Sequence, residues 1–284
     1  MRFIQEAPSA AAWSAALRRE SRSIGFVPTM GALHEGHLAL MARAKAECGV
    51  VCASIFVNPL QFNNPEDLRH YPRQIEQDRR LLEEAGCDML FAPEGASIYQ
   101  DHTSKTFQLG GLDEVLEGIS RPGHFQGVVN VVERLFHYVR PDAAYFGEKD
   151  RQQLAVISHV ARTLRWPERI VPCETLRAAD GLALSSRNQR LSPEERAIAP
   201  VIQRSLRAVQ DAAFRLPVEE VLMAGERVLA SEPEVRLDYL AIADPLSLRP
   251  LQNWGERKDA VALIAAWLGP VRLIDNITLH RSAG

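Results

Sequence analysis

Residues 25–44 read GFVPTMGALHEGHLALMARA, and their reading decides the fold. Ile24-Gly25-Phe26-Val27 is an apolar run of strand type, whereas the alanine-rich end has the spacing of a helix. The joint carries two glycines and spells His34-Glu35-Gly36-His37. A helix is predicted from about Gly36 to Glu47. It leads to a second buried strand in VVCASIFV, 50–57, rich in β-branched residues.

The same alternation continues outward. PEDLRHYPRQIEQDRRLLEEAG, 65–86, is helical, broken near Pro72 and ended by Gly86. CDMLFAPE is a short strand, GVVNVVERLFHYVRP a helix stopped by Pro141, and DAAYFGE a strand. RQQLAVISHVARTLRW and RIVPCET add a helix and a strand, and the N-terminal stretch reads as a strand and helix and not as a secretory signal. Strands alternating with helices predict an α/β domain over 1–176, a parallel sheet with ligands at the carboxyl ends of its strands. The pattern changes after 176. Ser192, Pro193 and Glu195 form a strong helix start before 194–215, a second helix follows near 218–231, and three strands close the chain. That order predicts a smaller α+β domain over 177–284, with a cleft at the loop LRAADGLALSSRNQRL.

Composition limits the partners. The 284 residues are 46% hydrophobic and 24% charged, ordinary for a globular protein with a core. A net charge of −3 gives no electrostatic reason to expect nucleic acid or an anionic membrane, and no long apolar run suggests a span. Cys48, Cys52, Cys87 and Cys173 form no Cys-x-x-Cys pair, so they read as reduced structural residues of a cytoplasmic protein.

The polar residues gather at strand ends. His34 and His37 stand where a helix N-terminus offers amide N–H groups and partial positive charge. They read either as capping or surface histidines or as donors to an α-phosphate under attack. The stretch is neither a Gly-x-x-x-x-Gly-Lys-Ser/Thr nor a Gly-x-Gly-x-x-Gly loop. Asn58 and Gln61 follow the next strand as neutral amides that could read hydroxyls and a carboxylate, or satisfy loop backbone. Gly147, Lys149, Asp150 and Gln153 open the helix after YFGE, with lysine suited to phosphate and the carboxylate to ribose hydroxyls, or as an ordinary charged helix start. Ser185, Ser186 and Arg187 suit a polyphosphate or a solvated loop. Arg121 and His124 in RPGHFQG are candidates to close over substrate or bind its carboxylate.

Taken together, PTMGALHEGH, IFVNPLQF, YPR, RPGHFQGV, YFGEKD, DGLALSSRN and RLIDNI, in this order, closely resemble the pantoate–β-alanine ligases (pantothenate synthetases) from about residue 22 to 280. That family falls in the nucleotidyltransferase superfamily with a His-x-Gly-His signature. The resemblance implies a Rossmann-like first domain, a C-terminal lid domain and a cytoplasmic homodimer. It implies condensation of pantoate with β-alanine by ATP, through a pantoyl adenylate, releasing AMP and diphosphate, with Mg2+ required. It assigns His37, His34 and Lys149 to catalysis. It places Met30, Gly31, Ala32, Leu33, Glu35 and Gly36 around the nucleotide with the two histidines. Gly147, Glu148, Lys149, Asp150, Leu176, Leu184, Ser185, Ser186 and Arg187 join that ATP set. It assigns Gln61 and Gln153 to pantoate, Gln61 also to β-alanine, and Asp78 to the metal. Leu60 and Leu184 replace the family's frequent methionines, a bulk-preserving change. Another adenylyltransferase with the same histidine signature is the alternative; it should lack Gln61, Gln153 and the second domain.

Overall fold

The computed structural model describes residues 1–99 and 102–281. The chain divides into two units. One contains Met1–Asp113, Glu117–Glu148 and Gln153–Glu174; the other contains Glu114–Leu116, Lys149–Gln152 and Thr175–Gly284.

In the first unit β1 (Arg2–Ile4), β2 (Ile24–Thr29), β3 (Val50–Ile55), β4 (Met89–Phe91), β5 (Ala143–Gly147) and β6 (Arg169–Cys173) form one sheet, ordered β1-β4-β3-β2-β5-β6. Its paired strands run parallel. Its helices are α1 (Ala7–Arg19), α2 (Glu35–Glu47), α3 (Pro65–Arg69), α4 (Ile75–Glu84), α5 (Gly95–Tyr99), α6 (Glu117–Ser120), α7 (His124–Val139) and most of α8 (Arg151–Leu164).

Alternation along the strands divides the core between two faces, because successive side chains point oppositely. Phe26, Cys52, Met89, Phe91 and Phe146 pack with residues of α1, α7 and α8. Val27, Val51, Ala53, Leu90 and Tyr145 pack with residues of α2 and α4. Gly25 is small where α2 comes close: a Cβ there would lie 3.2 Å from those of Ala44 and Cys48. The β2–β5 ladder runs over Gly25 and Phe26, so Pro28 lies beyond it, where a missing N–H costs no ladder bond to β5.

The second unit has α9 (Pro193–Ile198), α10 (Val201–Ala212), α11 (Val218–Leu229) and an antiparallel sheet β7 (Val235–Ala243), β8 (Asp259–Leu268), β9 (Val271–His280), in that order. Alternate residues of β8, Ala260 through Leu268, pack with Ile202, Leu206 and Val209 of α10 and Val221 of α11.

The sequence reading differs in detail. The continuous helix read after Ser192 is two, α9 and α10, separated at Ala199-Pro200. The short α5 and α6 carry too few turns to show a period. The second unit also includes two short segments, 114–116 and 149–152, that a single cut after 176 leaves elsewhere. No helix among the described residues is long and apolar enough to cross a membrane.

Candidate active site

The two histidines cap α2 reciprocally. His34 is the N-cap, and its Nδ1 accepts the Gly36 N–H at 3.1 Å. The His37 Nδ1 accepts the His34 N–H at 3.3 Å. Such a box normally pairs a hydroxyl with a glutamate or glutamine. Here both partners are imidazoles, with ring centroids 4.1 Å apart. An Nδ1 that accepts leaves the proton of a neutral ring on Nε2. The nitrogens able to donate are therefore Nε2 of both rings, beside a helix N-terminus that favours anions.

The loop before α2 is wound around Asp78 of α4. Gly31 and Ala32 have φ of +83° and +50°. The Ala32 N–H donates to Asp78 Oδ2 at 2.9 Å and the Leu33 N–H to Oδ1 at 2.8 Å. Asp78 is fully buried. Burial pushes its carboxyl up from the ordinary range, against the opposing effect of the Leu33 and Ala32 amides and the Gln74 side chain. Asp78, which the resemblance sets beside the metal, holds the loop here through one backbone amide on each of its oxygens. Among the described residues no three His, Cys, Asp or Glu side chains gather as a cation cage. The donor set therefore does not fit a magnesium held by protein ligands alone.

Gln61 closes the turn after β3. Its side chain accepts from Asn58 Nδ2 at 3.1 Å and donates through Nε2 to Met30 Sδ at 3.2 Å. Its main-chain carbonyl accepts from His124 Nδ1 at 2.7 Å and from Arg121 at 3.4 Å. Arg121 and His124 thus hold the Gln61 backbone, a task not read from RPGHFQG. The fit is close, since a Cβ on Gly127 would lie 2.2 Å from the Leu60 carbonyl oxygen. Gln153 stands half-buried on α8. At the end of β5, a Cβ on Gly147 would meet nothing within 4 Å, so this strand end is open; Glu148 follows it.

The other predicted residues belong to the second unit: Lys149, Asp150, Leu176, Leu184, Ser185, Ser186 and Arg187. Lys149 Nζ lies 3.6 Å from Asp150 Oδ1. Ser185 caps a short 3-10 helix, Ser186–Arg190, by accepting the Arg187 N–H. Lys149 and Ser185 line one small pocket with Asn188, Ile202, Leu273 and Asp275. Behind it Arg177 donates to both oxygens of Asp275, at 2.6 and 2.9 Å, and to the Gly181 carbonyl. Asn276 Nδ2 donates to the Lys149 carbonyl at 3.0 Å. Sequence reasoning gave no role to Tyr99, Arg177, Asp275 or Asn276. The available signal was Asp275-Asn276, two adjacent polar residues between Leu273-Ile274 and Ile277 in the RLIDNI motif.

The chain is similar to known proteins over almost its whole length. The sequence profile of the family described as Pantoate-beta-alanine ligase matches residues 2–278. A pantothenate synthetase of Thermus thermophilus is 50% identical over 268 residues, covering 94% of this chain and 96% of that one. A pantothenate synthetase of Porphyromonas gingivalis is 48% identical over 260 residues, 92% of each. The crystal structure of a Thermus thermophilus pantothenate synthetase superposes with a TM-score of 0.91 at 49% identity, covering 98% of this chain and 99% of that one. A pantoate–β-alanine ligase from Francisella tularensis, solved with β-γ ATP and β-alanine, gives 0.81 at 36% identity, covering 98% and 97%. The chain belongs to the pantoate–β-alanine ligase family.

Proposed function

We propose that this chain joins pantoate to β-alanine using ATP, with pantoyl adenylate as the intermediate. A carboxylate is a poor acyl donor because oxide would have to leave. In the first step a pantoate carboxylate oxygen attacks the α-phosphorus, and the bond to the β-phosphate breaks to release diphosphate. In the second the β-alanine amine attacks the acyl carbon, AMP leaves, and the nitrogen loses a proton.

The observation that carries this reading is the reciprocal histidine cap, which orients two imidazoles at one helix N-terminus with their Nε2 protons as donors. Two such donors stabilise the charge that grows on the α-phosphate during attack. The Met30–His37 loop binds the nucleotide, and Gly147, Asp150 and the backbone at Leu176 and Leu184 contact its nucleoside part. Lys149, Ser185, Ser186 and Arg187 neutralise phosphates. Gln61 and Gln153 hold pantoate, and Gln61 also meets β-alanine. Magnesium accompanies ATP through phosphate oxygens, as a hard cation does in such sites.

The test is diphosphate release measured with ATP alone, with ATP and pantoate, and with β-alanine added. Release should require pantoate, and AMP should appear faster with β-alanine. Equal release without pantoate refutes the reading.

A further inference from the structure

The Gln61 amide has a fixed direction, and its cause lies outside the residues assigned above. Asn58 is 1% exposed and its side chain is fully engaged. Its Oδ1 accepts the Leu60 N–H at 3.2 Å and the Tyr99 O–H at 2.8 Å. Its Nδ2 donates to the Gly127 carbonyl and to Gln61 Oε1, both at 3.1 Å. A backbone N–H can only donate and a backbone carbonyl can only accept. Leu60 and Gly127 therefore settle which end of the Asn58 amide is which. Gln61 must then turn its oxygen to Asn58, so its NH2 faces the other way. That NH2 has the Met30 thioether as its acceptor at 3.2 Å, a weak partner that an oxygen would better. Tyr99 closes the chain at the far end. It sits edge-on to Phe56, and burial pushes its phenol well up, which keeps the proton available to Asn58.

We propose that Tyr99, through Asn58, is a positioning residue that locks Gln61 with its NH2 group toward the substrate, so that Gln61 recognises an acceptor oxygen, a carboxylate or a hydroxyl lone pair. The substrate part rests on the assignment of pantoate to Gln61; the relay itself does not.

Three measurements test it. Gln61→Glu preserves shape and the acceptor facing Asn58, but replaces the substrate-side donor with an anionic oxygen. It should raise KM for pantoate by about 100-fold while KM for ATP stays within about twofold, the cost of an unmatched charged acceptor. A pantoate KM near that of the parent protein overturns the proposed direction. Tyr99→Phe should raise the pantoate KM about fivefold, the size of one net hydrogen bond, with the ATP KM unmoved. In a Gln61→Ala background the same change should add nothing. An undiminished effect there would mean that Tyr99 does not act through Gln61, and overturns the proposal. In the ligand-free protein the Asn58 side-chain N–H groups should exchange slowly with solvent, and several-fold faster in Tyr99→Phe. Unchanged exchange refutes the relay whatever the substrate. If Gln61→Ala leaves the pantoate KM untouched while the exchange result holds, the substrate assignment has failed and the relay stands.

Discussion

Ala32 sits at φ +50°, in a region that disfavours a residue with a Cβ by about 1–2 kcal/mol. The two bonds from Asp78 to the Ala32 and Leu33 amides hold it there. Asp78→Asn retains one acceptor but turns an NH2 toward the second amide. One buried donor loses its partner, at a cost of about 1–3 kcal/mol. Urea denaturation should show that loss, and the ATP KM should rise because the loop is no longer held. The pH dependence has a definite sign. The folded Asp78 carboxyl keeps its proton to higher pH than the unfolded one. In that window the folded state binds more protons, so this group's contribution is full below about pH 3.9 and falls as pH rises. The stability gap between parent and Asp78→Asn should therefore narrow from about pH 4 upward and then level off; a gap that widens contradicts the burial effect. His37→Ala acts on chemistry instead. With His37 as the proposed donor to the α-phosphate, single-turnover adenylation should slow by about 10²–10³. Loss of its share of the α2 cap should cost about 1 kcal/mol in the same protein. Near-normal adenylation would exclude the assigned role.

At the scale of elements, the sequence is most readable where one element explains itself. The buried apolar runs in Ile24–Thr29 and Val50–Ile55, and the Ser192/Glu195 box seen at the start of α9, are local signals. The histidine pair is local too, being separated by one turn. The supports of the site are not. Asp78 meets its loop across 46 and 45 residues, Tyr99 meets Asn58 across 41, and Arg177 meets Asp275 across 98. No periodicity predicts which distant carboxylate will find which amide, so Asp78 could be assigned from the sequence only as a metal-side acid. The Arg177–Asp275 pair fixes the segment ahead of Ser185 against β9. Its carboxylate is almost wholly buried, with side-chain exposures of 21% for Arg177 and 2% for Asp275. Removing one partner of such a pair leaves an uncompensated charge and costs about 3–5 kcal/mol. Asp275→Ala should lower the stability of the second unit by that amount. Replacing both residues with apolar ones should recover much of the loss. If the double variant is no better than the single one, the cost does not come from the stranded guanidinium.

For the whole molecule, the donor inventory makes a prediction about metal. A protein that folds around a cation needs several oxygen, nitrogen or sulfur ligands converging on one point. No such group of His, Cys, Asp or Glu exists among the described residues, and the acid that resembled a candidate is bonded to its own chain. The four cysteines are free thiols, and burial pushes Cys52, Cys87 and Cys173 upward, away from the thiolate form that binds metal. Stability and activity should then separate on chelation. EDTA should leave the unfolding temperature and urea midpoint of the ligand-free protein unchanged. It should abolish diphosphate release, and activity should return in proportion to the magnesium complex of ATP. Calorimetry of magnesium added to the ligand-free protein should give no saturable heat in the micromolar range, whereas a sharp single-site isotherm would require a cation site built by side chains and would overturn the assignment of the ion to the nucleotide.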